Sequence, residues 1–278
     1  MTRIVVDSTS DLPTEVMEEL GIIMVPLKVH FGTEEFRDRV ELDQEEFFKK
    51  LGEATELPKT SQPSPGEFID AYKQVPANEP IISIHLSEKL SGTYQSAVLA
   101  RKELADRDIR VIDTGNVTAG AGILVLAAAD MLRDGKGADE VEAALVEMSH
   151  RTRMLAILDT LKYAVMGGRV SKVQGALGGL LRVKAVMLIR EGEIERMPPA
   201  RTWGQAFQKV VEDIKAHGGA ERMMVVDAQT AEGRATLRAQ LEREFPGVPI
   251  AEGTLGAVIG THSGPGAVGC AYIAKKAG

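Results

Sequence analysis

Short apolar runs alternate with helix-like segments through the first part of the chain. Residues 4–7, 22–31, 80–85, 109–113 and 154–158 are apolar or β-branched and bounded by polar, glycine or proline residues, which predicts buried strands. Helices are predicted between them. Asp11 or Ser10 can cap the first, with Pro13 in its opening turn and Gly21 past its end. Asp43 to Glu46 forms a capping box for a helix reaching Leu51, and Ser64-Pro65-Gly66-Glu67 a second. Further helices are expected from Ala97, over 118–133 and over 138–148. Strands that alternate with helices imply a parallel sheet covered on both faces, with ligands gathering at the strands' carboxyl ends.

The pattern changes after residue 158. Residues 160–181 are broken by glycines into short helical pieces, and strands at 185–189 and 194–197 flank Glu191-Gly192 as a hairpin. Helices are predicted over 204–216 and 231–244, and strands at 223–226, 248–252 and 257–260. The expected class is α/β: a parallel-sheet α/β/α domain over residues 1–158, then a smaller α+β domain over 159–278, with a ligand between them.

Composition narrows the function. With 278 residues, 44% of them hydrophobic and 26% charged, the chain suits a globular protein with one or two cores. A net charge of −7 without a long basic run argues against nucleic acid or an anionic membrane surface as the main partner. No segment has signal-peptide or membrane-spanning character, so a cytoplasmic protein is expected. The single cysteine, Cys270, offers neither an intrachain disulfide nor a Cys-rich metal site.

Several polar clusters fall at the predicted strand ends. Leu90-Ser91-Gly92-Thr93 opens a helix after a strand. Unpaired amides there can hold an anion, with Gly92 allowing close approach and Ser91 and Thr93 adding hydroxyls. On the segment alone, Ser91 as an ordinary N-cap is the simpler account. Thr60-Ser61-Gln62 lies between prolines, either a solvated turn or donors facing the Ser91 loop. His262 lies after a predicted strand and before Gly264-Pro265-Gly266, held at a pocket mouth or bonded within its own turn. Arg169, beside two glycines, is an anion partner or a plain surface residue. The other four histidines sit in structural contexts without a polar cluster beside them. Asp7, Asp113, Asp159 and Asp227 end strands and fit turn chemistry better than a Mg²⁺ site. Gly120 and Gly122, costing about 1 kcal/mol each inside a helix, imply close packing against another element or a ligand. No P-loop, dinucleotide fingerprint or nucleophile elbow is present.

Taken together, Val6-Asp7-Ser8-Thr9-Ser10-Asp11-Leu12, Thr60-Ser61-Gln62-Pro63-Ser64, Leu90 to Ala97, Asp113-Thr114, Leu161 to Ser171 and Thr261 to Gly266 resemble the DegV family in order and across nearly the whole chain. Phe36 and Arg39 depart from the family's usual Tyr-x-Asp-Gly turn. The resemblance implies a bacterial, non-enzymatic carrier without a cofactor that buries a long-chain fatty acid. It implies a carboxylate held by Thr60, Ser61, Ser91, Gly92 and Thr93, with His262 and Arg169 beside it. It also implies that a separate fatty acid kinase phosphorylates that carboxylate for phospholipid synthesis, with only transient membrane contact. Ile123, Leu124, Leu177, Leu180 and Leu181 are candidate tunnel residues. The competing expectation is an enzyme acting on a small carbonyl or phosphorylated substrate through His262, as in dihydroxyacetone-kinase substrate subunits.

Overall fold

The computed structural model describes residues 1–170 and 183–276. Strand β1 (Arg3–Asp7) enters a 3-10 turn at Ser8–Ser10, followed by α1 (Thr14–Glu19) and β2 (Ile23–Val25). Strands β3 (Lys28–Phe31) and β4 (Glu34–Arg37) form a hairpin, before α2 (Gln44–Glu53), β5 (Lys59–Ser61) and α3 (Pro65–Lys73). The chain continues through β6 (Ile81–His85), α4 (Thr93–Glu103), β7 (Ile109–Asp113), α5 (Ala119–Arg133) and α6 (Ala138–Arg151). After β8 (Thr152–Leu158) and α7 (Lys162–Met166), β9 (Ala185–Arg190) and β10 (Glu193–Arg196) make a second hairpin. Then follow α8 (Trp203–Ala216), β11 (Ala220–Asp227), α9 (Ala231–Glu244), β12 (Ile250–Thr254), α10 (Ala257–Ser263) and β13 (Val268–Ala274).

Three sheets result. A parallel sheet runs β2-β1-β6-β7, a mixed sheet β10-β9-β8-β13-β11-β12, and a small antiparallel sheet β4-β3-β5. Helix α5 lies between the two large sheets, touching β1 and β6 on one side and β8, β11 and β13 on the other. That position explains its apolar character on all sides, since a helix covered all round has no face for charge. The outer face of the parallel sheet is covered by α3 and α4 through Phe68, Tyr72, Ala97 and Ala100. The outer face of the mixed sheet is covered by α8 and α9 through Phe207, Val210, Leu237 and Leu241.

This is the expected α/β class, with several differences in its parts, among them β5 and β13, strands not predicted from the sequence. Residues 22–31 are two strands in different sheets, split around Pro26, which cannot donate a ladder hydrogen bond. Strand β8, expected to extend the parallel sheet, pairs antiparallel with β9 and β13 in the mixed sheet. The expected division after residue 158 therefore runs behind the first strand of the second sheet. Residues 257–260 belong to helix α10 rather than a strand. Helix α1 starts at Thr14 with Pro13 as its N-cap and no side-chain cap, and Asp11 is engaged elsewhere.

The two glycines of α5 are packing positions. A Cβ on Gly120 would collide with the Asn116 side chain, and one on Gly122 with the Ser10 carbonyl. Of the candidate tunnel residues, Ile123 and Leu124 are fully buried in the central core, while Leu177, Leu180 and Leu181 lie outside the described residues.

Candidate functional site

A cavity of about 400 Å³ opens between the mixed sheet and the loops at the carboxyl ends of the parallel strands, beside β5 and α10. Its size falls within the range of small-molecule sites. The interior is apolar: Leu158 from β8, Met187 and Ile189 from β9, Ile194 from β10, Val258 and Ile259 from α10, with Leu27, Leu86 and Ala164. Ile123 and Leu124 are not part of its lining.

Polar groups come to it from five separate segments, one of them Thr118 at the start of α5. Strand β5 brings Thr60 and Ser61, the loop before α4 brings Ser91 and Gly92, α10 brings His262 and Ser263, and the segment after α7 brings Arg169. Six of the seven residues singled out in the sequence thus line one cavity. Thr93 does not; it is fully buried, and its Oγ1 lies 2.9 Å from Ser91 Oγ.

Helix α4 begins at Thr93, before the expected Ala97 and one residue after the start that Ser91 as N-cap would give. Its N-cap is Gly92, which gives no side-chain cap, while Ser91 Oγ accepts from the Thr93 amide at 3.3 Å. The space over Gly92 is filled by Gln62, whose amide donates to the Gly92 carbonyl at 3.1 Å and to Ser96 Oγ at 3.0 Å. Gly92 is needed for that side chain to cross the helix start. Gln62 thereby ties the two hydroxyl-bearing loops together, as the reading of its loop as donors facing the Ser91 loop expects.

His262 stands in the last turn of α10, and its Nε2 lies 3.2 Å from Thr60 Oγ1. Burial, aided by the nearby Arg169 cation, pushes its pKa down to about 4, so the ring is neutral at pH 7. Its Nδ1 is buried without a hydrogen-bond partner and packs against Gly167, where a side chain would have no room. Ser61 Oγ is 2.9 Å from His30 Nε2, so His30 supports the site rather than serving only its strand. The mouth thus offers hydroxyls and a neutral imidazole, with the exposed Arg169 guanidinium at its edge.

His85 also differs from expectation, with a polar cluster around it. Its Nδ1 is 3.1 Å from Asp7 Oδ2 and its Nε2 2.6 Å from Ser83 Oγ, which is 2.8 Å from the Tyr72 hydroxyl. All four are buried away from the cavity, and Asp7 also accepts from the Leu86 amide at 3.0 Å. The network anchors the base of the Leu86–Gly92 loop. The other strand-end acids serve turns and ion pairs: Asp113 accepts from Gly115, Asp159 pairs with Lys184, and Asp227 with Arg234 and the Thr230 amide. Among the described residues no His, Cys, Asp and Glu cluster is arranged to hold a metal, and no helix is long and apolar enough to cross a membrane.

A family model described as an uncharacterised protein family, DegV, matches residues 1–275. The chain belongs to the DegV family. A DegV domain-containing protein of Caldanaerobacter subterraneus is 34% identical over 276 residues, spanning 98% of each chain. Among solved structures, a fatty-acid-binding DegV family protein from Thermus thermophilus superposes with a TM-score of 0.89 at 34% identity, covering 99% of each chain. A stearic-acid-binding protein from Eubacterium ventriosum gives 0.89 at 26% identity, again over 99% of each. Both of these solved proteins bind fatty acids, and their fold is the arrangement of sheets described above.

Proposed function

We propose that this chain binds one long-chain fatty acid in this cavity and presents the carboxylate to a separate kinase. One observation carries the proposal: an apolar cavity whose polar lining is drawn from the Thr60, Ser91 and His262 segments. An acyl chain matches the walls of Leu158, Met187, Ile189, Ile194 and Val258, and a carboxylate matches the hydroxyls. Burying a methylene contributes about 0.8 kcal/mol, so a chain of ~14 methylenes contributes on the order of 10 kcal/mol. The chain dominates affinity, and Thr60, Ser61, Ser91 and Gly92 set orientation.

A hand-over role is supported by what the mouth lacks. His262 is neutral near pH 7, and Thr60, Ser61 and Ser91 are only half-buried, so the carboxylate is not locked in a buried ion pair. In this scheme the mixed sheet with α10 and the Thr60 and Leu86–Gly92 segments contribute opposite walls, and membrane contact is limited to exchange of the acid. The cavity's apolar walls suit an acyl chain better than the small polar substrate required by an enzyme acting through His262.

Thr60→Ala and Ser91→Ala should each weaken retention of stearate about ten- to a hundredfold, the scale of one hydrogen bond to a charged group. Competition against a fluorescent fatty acid reads this directly. Unchanged retention in both variants would place the carboxylate elsewhere.

A further inference from the structure

A cluster of buried charges ties the parallel half of the chain to the first turn of α10. Asp11 and Asp38 are both fully buried. Asp38 Oδ1 accepts from the Ala257 amide at 2.7 Å, and Asp11 Oδ1 from the Gly256 amide at 2.8 Å. Ser8 Oγ donates to Asp38 Oδ2 at 2.7 Å. Arg39 closes the cluster: Nη2 donates to Asp11 Oδ1 at 2.9 Å and to the Thr254 carbonyl, and Nη1 donates to the Leu12 carbonyl at 3.2 Å.

The cluster is costly to hold. Burial raises the pKa of both acids, that of Asp38 to about 6, against the opposing pull of Arg39. Arg39 has φ +64° and Asp11 φ +53°, in the left-handed region that residues with a side chain seldom occupy. Strain of this kind persists only where the surroundings over-determine it. A Cβ on Gly256 would lie 2.8 Å from Asp38 Oδ1 and 3.0 Å from Arg39 Nε, so the strand-to-helix join must stay bare for the two side chains to reach it.

We propose that Asp11, Asp38 and Arg39 form a latch on α10 that seats His262 against Thr60, making Arg39 a positioning residue for ligand retention. Helix α10 is short and carries Val258, Ile259, His262 and Ser263 of the cavity wall, so movement at Gly256 passes directly to the mouth. Its other supports are Phe47 and Phe48 of α2 against Gly260, and α7, where Tyr163 packs on Gly264 and Gly167 meets the His262 ring. Only the ligand arm of the test rests on the fatty-acid function.

Arg39→Gly removes the guanidinium and relieves the backbone at φ +64°; Arg39→Lys keeps the charge but loses the fork that spans Asp11, Leu12 and Thr254. The first measurement is the NMR titration of the His262 ring in delipidated full-length chain. The wild type should titrate near pH 4, and Arg39→Gly should move upward by about one unit or more as water reaches the ring. The second is stearate dissociation, expected to be about tenfold faster in Arg39→Gly, with Arg39→Lys between the two. If Arg39→Gly does not fold, Arg39→Lys decides on the same two measurements. An unmoved His262 titration in a folded variant overturns the latch and leaves the packing of α2 and α7 as sufficient support. A moved titration in a chain whose wild type does not retain stearate keeps the latch and removes the fatty-acid function.

Discussion

At His262 the environment controls charge. An unfolded chain protonates this ring near pH 6.5, whereas burial and Arg169 hold it neutral to about pH 4 in the fold. Its stabilising contribution is therefore whole above pH 6.5 and is lost as the pH falls toward 4. One unit is worth about 1.4 kcal/mol, so the window amounts to a few kcal/mol. Asp38 has the opposite sign, because its raised pKa favours the folded state as acid protonates it, but it is common to wild type and to a His262 variant. The thermal-stability lead of the wild type over His262→Gln should therefore shrink between pH 6.5 and 4. A lead that is constant or grows across that range would show that the ring is not shielded as described. Thr60, Ser91 and His262 were legible as candidates because hydroxyl and imidazole groups next to glycine or proline turns stand out in an apolar chain. Gln62 facing the Ser91 loop was legible only as one of two readings of its loop, and the bond from His30 to Ser61 was not, since it joins segments with no shared local pattern.

At the scale of elements, α5 shows how close packing shapes the sequence. Gly122 faces the Ser10 carbonyl and has Met224 Sδ 3.0 Å from the place a Cβ would occupy, and neither sheet can retreat without the other. Gly122→Ala should destabilise the fold by about 1–3 kcal/mol in denaturant unfolding. Gly52, in α2 with open space around it, is the control, and Gly52→Ala should stabilise by about 0.5–1 kcal/mol. Equal effects at the two sites would contradict the packing assigned to α5. The strands of the parallel sheet were legible because burial on both faces leaves apolar runs with polar residues at their ends. Residues 257–260 were misjudged because so short an apolar run fits strand and helix alike. What makes it a helix is partly remote: Asp11 and Asp38 take up its first amides from far earlier in the chain.

At the scale of the molecule, α5 joins two sheets, and the cavity exists only where the mixed sheet meets the loops of the parallel one. Its walls come from β8, β9, β10 and α10 on one side and the Leu86 to Gly92 loop on the other, so no isolated half encloses it. The placement of β8 in the mixed sheet follows from pairings with β9 and β13 that lie beyond it in sequence, which alternation of strands and helices cannot reveal. Native mass spectrometry of the full-length chain as purified tests the proposed binding most directly. It should show one adduct per chain with the mass of a fatty acid of roughly fourteen to eighteen carbons, the length whose burial supplies the binding energy. A chain that carries no such adduct, and takes up neither palmitate nor stearate when offered them, would contradict it.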